Sequence, residues 1–139
     1  MTFMVTYQVQ LDPQGKGRPK FTRQGRAYTP AKTVAYEKAI QEQAKLAMGV
    51  SEPLETPVAV CIYISMPIPQ SYTKKRTEAC LAGKDKPTKK PDIDNVAKAF
   101  LDAMNGIVYK DDTQVVSLHV TKVYSTIGMV EVLVKEELQ

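Results

Sequence analysis

The apolar residues of this chain repeat with two different periods, and the alternation between them limits the fold more than any other feature. Phe3, Val5, Tyr7, Val9 and Leu11 fall on alternate positions, as do Val58, Val60, Ile62 and Ile64. Val116, Leu118 and Val120 repeat the pattern, and so do Val130, Val132 and Val134. Successive side chains of a strand point to opposite faces, so each run predicts a strand with one buried side. Between the second and third runs the period lengthens. Ile93, Val96, Ala97, Phe100, Leu101 and Met104 follow the i, i+3, i+4, i+7 spacing that lines one side of a helix.

Turn and cap residues divide the rest. Thr29 followed by Pro30 suits an N-cap with proline in the first turn, and Gly49 suits a stop, which predicts a helix over 30–48. PLETP at 53–57 is a connector, and MPIPQS at 66–71 ends the second strand. A short basic helix is expected over 72–82, stopping at Gly83, and STIG at 125–128 suits a hairpin turn joining the last two strands. Four or five strands and three helices in this order point to an α+β fold, one compact domain with a mixed sheet. At 139 residues such a domain buries roughly two thirds of the surface that its unfolded chain exposes, so a core needs no covalent staple. Cys61 and Cys80 are accordingly read as reduced thiols. The longest apolar run, VAVCIYI, is far short of a membrane span, and the N-terminus lacks the basic-then-apolar pattern of a signal peptide. The expected location is cytoplasmic, with no membrane partner.

Charge is distributed unevenly. Residues 16–32 carry Lys16, Arg18, Lys20, Arg23, Arg26 and Lys32 with no acid, and residues 74–90 carry Lys74, Lys75, Arg76, Lys84, Lys86, Lys89 and Lys90 against Glu78 and Asp85. Thirteen of the nineteen basic residues thus occupy two windows, leaving an acidic remainder. One such run is ordinarily a solvated loop. Two runs accompanied by Phe21, Tyr28 and Tyr72 favour a nucleic-acid backbone with bases to stack on.

Directly after the second window comes KKPDIDNVAKAFLDAMNGIVYKDD, residues 89–112, with Asp92, Asp94, Asp102, Asp111 and Asp112. Pro91 disfavours helical geometry before it, so Asp92 is expected as N-cap and Asp94 in the first turn. Asp94 and Lys98, four apart, share a flank of that helix, and Asp102 is expected on the far side. Helix capping and turn formation would account for any one of these acids. If the following strand packs beside the helix, however, several carboxylates converge, and their mutual repulsion needs a cation. Oxygen donors without His or Cys suit Mg²⁺, with Mn²⁺ as a substitute, rather than zinc.

These residues resemble the RusA family of Holliday junction resolvases, which is common in prophages. KKPDIDNVAKAFLDAMNGIVYKDDTQVV is similar to the family's D-x-D-N segment, the lysine four residues beyond its second acid and the later D-D pair, and KGRPKFTRQGRAYTP is similar to its basic N-terminal motif. The resemblance implies metal binding by Asp92, Asp94 and Asp112, an active-site role for Lys98, and supporting positions for Asp111 and Asn95. It also implies a Mg²⁺-dependent homodimer that makes paired cuts in four-way DNA. Lys16, Arg18, Lys20, Arg23, Arg26, Lys74, Lys75, Arg76, Lys89 and Lys90 are the expected DNA contacts. Pro91 stands where some members carry arginine.

Other readings are a nucleic-acid-binding protein without catalysis, a flap or other branched-DNA endonuclease, and a D-x-D phosphatase or sugar transferase. The last is disfavoured by the basic loop before Asp92, where a phosphatase would place a buried strand. His119, between Leu118 and Val120 of a strand and without an acid-base partner, is read as structural.

Overall fold

The computed structural model describes residues 3–17 and 19–137. Its elements are β1 (Met4–Val9), β2 (Lys20–Phe21), β3 (Ala27–Tyr28), α1 (Ala31–Met48), β4 (Val58–Pro67), α2 (Lys74–Leu81), α3 (Ile93–Ala103), β5 (Val115–Ser125) and β6 (Met129–Glu136). Four strands form one mixed sheet in the order β1-β6-β4-β5, and β2 and β3 form a separate two-stranded ribbon. The result is the expected single α+β domain with three helices.

The terminal hairpin is not formed. β4 lies between β5 and β6, parallel to β5 and antiparallel to β6, so residues 126–128 cross the end of β4 instead of turning between paired strands. The reason is burial. Val58, Val60, Ile62 and Ile64 are fully buried or nearly so, which gives β4 the central place with a ladder on each side. β5 is more polar and takes the edge, where Val116 remains 61% exposed. The helix expected from residue 30 begins at Ala31, with Pro30 rather than Thr29 as its cap, and Gly49 ends it at φ +58°. Thr73 caps α2, its Oγ1 accepting from the Arg76 amide at 3.1 Å.

One face of the sheet carries α1 and α3. Tyr36, Ile40, Ala44 and Met48 of α1 and Val96, Ala97, Phe100 and Ala103 of α3 are buried with Val5, Tyr7, Ile62, Val132 and Val134 from the strands. Phe100 is central: its ring stacks on Tyr7 at 6.5 Å and meets Tyr36 edge-on at 6.0 Å. This packing fixes the azimuth of α3, and therefore which of its side chains face away from the core. No helix among the described residues is long and apolar enough to cross a membrane.

Candidate functional site

With Val96, Ala97 and Phe100 turned inward, α3 presents Asp94, Lys98 and Asp102 to the start of β5. Four residues advance a helix by one turn plus only about 40°, so this row stays on one flank. Asp102 therefore belongs beside Lys98 and not on the far side, contrary to the expectation from the sequence. The three line an open cleft of about 540 Å³ with Asp112, over a floor that includes Ala97, Leu101 and Val115.

Asp112 is aimed by its neighbour. Asp111 caps a 3-10 turn over Asp112–Gln114, its carboxylate accepting from the Thr113 amide at 3.1 Å and the Thr113 hydroxyl at 2.6 Å. Gln114 returns the contact, its Oε1 accepting from the Asp111 amide, while its Nε2 donates to the Leu54 and Thr56 carbonyls at 2.8 and 3.0 Å. The hydroxyl and amide of Thr113 hold the Asp111 carboxyl below its ordinary pKa. Asp111 is thus occupied by the turn. Asp112 keeps its carboxylate in the cleft, with Asn105 Nδ2 approaching at 3.4 Å. Underneath, the fully buried Tyr109 donates to the Leu101 carbonyl at 2.7 Å. Burial first, then the charges of Asp112, Asp102 and Asp111, push its hydroxyl pKa upward and keep it a donor.

Asp92 is placed differently. It occupies the N-cap position of α3, yet its side chain makes no capping hydrogen bond, so capping does not explain it. It lines a neighbouring opening of about 670 Å³ with Gln14, Lys16, Lys32, Lys90 and Asn95. Asp92 and Asn95 are therefore grouped apart from Asp94, Lys98 and Asp112. Among the described residues, no three His, Cys, Asp or Glu side chains stand close enough together to hold an ion. The available donors at the cleft are all oxygen, which fits a hard divalent cation that keeps several waters and uses only one or two carboxylates.

The basic residues also separate into groups. Lys16 is turned inward, bridging Glu37 of α1 and Asp102 of α3, the latter at 3.3 Å. Burial alone would lower its pKa, but the two acids outweigh that and raise it. Its charge serves the cleft wall, so it differs from a free phosphate contact, and nothing local in the run KGRPK signals this. Lys20, Arg23 and Arg26 are exposed on the β2–β3 ribbon, and Arg18 lies outside the described residues. Lys74 and Lys75 are exposed on α2, whereas Arg76 stacks on the Tyr72 ring at 3.7 Å and pairs with Asp85 at 2.9 Å. Lys89 and Lys90 are exposed just before α3. Lys122 of β5, unremarkable in the sequence, donates to the Lys89 and Pro91 carbonyls at 2.9 and 3.0 Å and so ties that basic segment to the sheet. His119 is exposed on β5, hydrogen-bonded to Thr121 at 3.1 Å, and does not line the cleft.

An acid-lined cleft beside exposed basic segments is an arrangement suited to a phosphodiester polyanion. Comparison with known proteins agrees. The family model described as "Endodeoxyribonuclease RusA" matches residues 10–135. The Bacillus subtilis (strain 168) "Uncharacterized protein YqaN" is 35% identical over 140 residues, covering 95% of this chain and 96% of that protein. The match spans the ribbon, the cleft and the whole of α3, and the chain belongs to the RusA family of endodeoxyribonucleases.

Proposed function

We propose that this protein is a Mg²⁺-dependent homodimeric nuclease that resolves four-way DNA junctions by paired strand cuts. The observation that carries the reading is the cleft in which Asp94, Lys98 and Asp112 meet. Asp94 and Asp112 would hold the cation, whereas Asp92, which the family resemblance adds as a third metal-binding acid, opens onto the neighbouring space and stays outside this pair. When bound, such an ion supplies charge neutralisation at the scissile phosphate and an activated water. Lys98, one turn beyond Asp94, is placed to offset negative charge developing on the phosphate oxygens. Asp102, tied to Lys16, keeps the α3 wall anchored to α1.

The test is incubation of the purified protein with labelled four-way, flap and duplex DNA, with and without Mg²⁺. Symmetric paired nicks in the junction that require Mg²⁺ are expected. Faster cutting of the flap would reassign the substrate, and binding without cleavage of any DNA would overturn the enzymatic reading. That second outcome is what a non-catalytic DNA-binding module predicts.

Two further results are expected. Lys74 and Lys75 are exposed without an acidic partner at 4.0 Å or closer among the described residues, so replacing both with alanine should flatten the salt dependence of binding. The log-log slope should fall by about 0.9 for each duplex phosphate that the double variant no longer neutralises. An unchanged slope with unchanged affinity would remove this end of α2 from the DNA surface. A chain with one such cleft also needs a second copy to cut two opposed strands symmetrically. Light scattering should report about twice the 15.5 kDa chain mass. A monomer that cuts both strands in one encounter would overturn the dimer.

A further inference from the structure

The β2–β3 ribbon is separate from the main sheet, and it carries the largest exposed aromatic surface in the basic N-terminal segment. Phe21 is 70% exposed and Tyr28 48% exposed. The register pairs Lys20 with Tyr28 and Phe21 with Ala27. Paired residues share a face, so Phe21 stands beside only a small alanine on one side of the ribbon, and Tyr28 is on the other. The tip is ordered by its own bonds. Thr22 donates its amide to the Arg26 carbonyl at 2.8 Å, its carbonyl accepts from the Gly25 amide at 2.9 Å, and its hydroxyl accepts from the Arg26 amide at 3.1 Å. Gly25 adopts φ +80°, a conformation that favours glycine.

The ribbon is also anchored beside the cleft. At its stem the Lys16 amide donates to the Asn95 carbonyl of α3 at 3.0 Å, and the Lys16 side chain bridges α3 and α1. Gly17 lies so close to Thr33 of α1 that a Cβ there would collide with its side chain. Single exposed apolar residues are common on protein surfaces. This one stands on a projecting two-stranded element with Lys20, Arg23 and Arg26 and with no acid between residues 16 and 32. That charge suits a polyanion. It opposes a symmetric contact with a second copy, which would set like-charged tips near each other.

We propose that the ribbon recognises an unstacked DNA base, with Phe21 stacking on the base, Arg23 and Arg26 of the tip holding the adjoining phosphates, and Lys20 on the opposite face adding to the attraction for the backbone. The proposal rests on the DNA-binding reading above and deepens it, since a branch point offers unstacked bases that plain duplex does not. Aromatic stacking on an exposed base tolerates any sequence, because every base has a π face.

The experiment measures affinity in chelator, so that cleavage does not intrude, for plain duplex and for the same duplex with one extrahelical base. Wild type should prefer the bulged DNA. Phe21→Ala should reduce that preference by roughly tenfold, with duplex affinity and salt slope unchanged, and Phe21→Trp should restore it. Lys20→Ala, Arg23→Ala and Arg26→Ala combined should weaken both DNAs together. An undiminished bulge preference in Phe21→Ala, or a drop in light-scattering mass that assigns Phe21 to self-association, overturns the stacking proposal alone. Failure of the wild type to bind either DNA overturns it together with the DNA reading.

Discussion

Asp94→Asn and Asp112→Asn are each expected to lower Mg²⁺-dependent cleavage of branched DNA by more than the roughly 10- to 100-fold that loss of an outer-shell metal partner costs. Both side chains line the one cleft, from α3 and from the turn before β5, and neither is buried in the core. An amide keeps their size and removes the charge that would hold a cation. Folding should survive, since Asp94 stabilises the first turn of α3 by only about 0.3 to 1 kcal/mol. Junction affinity without metal should be equal or higher, because an unneutralised carboxylate repels a phosphate. Asp111→Asn is the contrasting control: its amide oxygen can still accept from Thr113, so cleavage should remain near wild type. Cleavage rates and metal-free affinities for the three variants decide the matter. Wild-type cleavage by the Asp94 and Asp112 variants would exclude both from catalysis, and weaker metal-free binding by a folded variant would contradict the electrostatic argument.

Phe100→Ala should cost about 3 to 5 kcal/mol of stability. The side chain is fully buried, and its ring touches the sheet through Tyr7 and α1 through Tyr36. Removal leaves a cavity where three elements meet, and packed neighbours relax into such a space only partly. A typical domain is stable by roughly 5 to 15 kcal/mol, so the variant should approach the limit of folding. With a slope of about 1 to 3 kcal/mol per molar urea, the unfolding midpoint should fall by one molar or more. Activity should decline with it, because the opposite flank of the same helix carries Asp94, Lys98 and Asp102. A loss below about 1 kcal/mol would mean that Phe100 does not clamp α3 to the sheet. Val116→Ser on the exposed edge should change stability by no more than about 0.5 kcal/mol.

Much of this organisation is legible in local sequence. Alternation located β1, β4, β5 and β6, because it depends only on the pleat of each strand, and the 3.6-residue period located α3 and its buried face. The proximity of Asp94 and Lys98 follows from helical spacing alone. Local pattern does not contain strand order. Two alternating runs around STIG read as a hairpin, yet β4 separates them, because its nearly continuous apolar sequence is better buried at the centre of the sheet. The azimuth of α3 against β5 likewise decides that the row Asp94, Lys98 and Asp102 faces the cleft and that Asp92 opens onto the neighbouring space. Lys16 read as one more cation in a basic run, but packing of α1 against α3 brings Glu37 and Asp102 to it from positions distant in the chain. Residue types and periods therefore determined the elements and the chemistry on offer. Which charges meet was decided by tertiary packing, since contacts between segments far apart in sequence depend on the burial of the whole core.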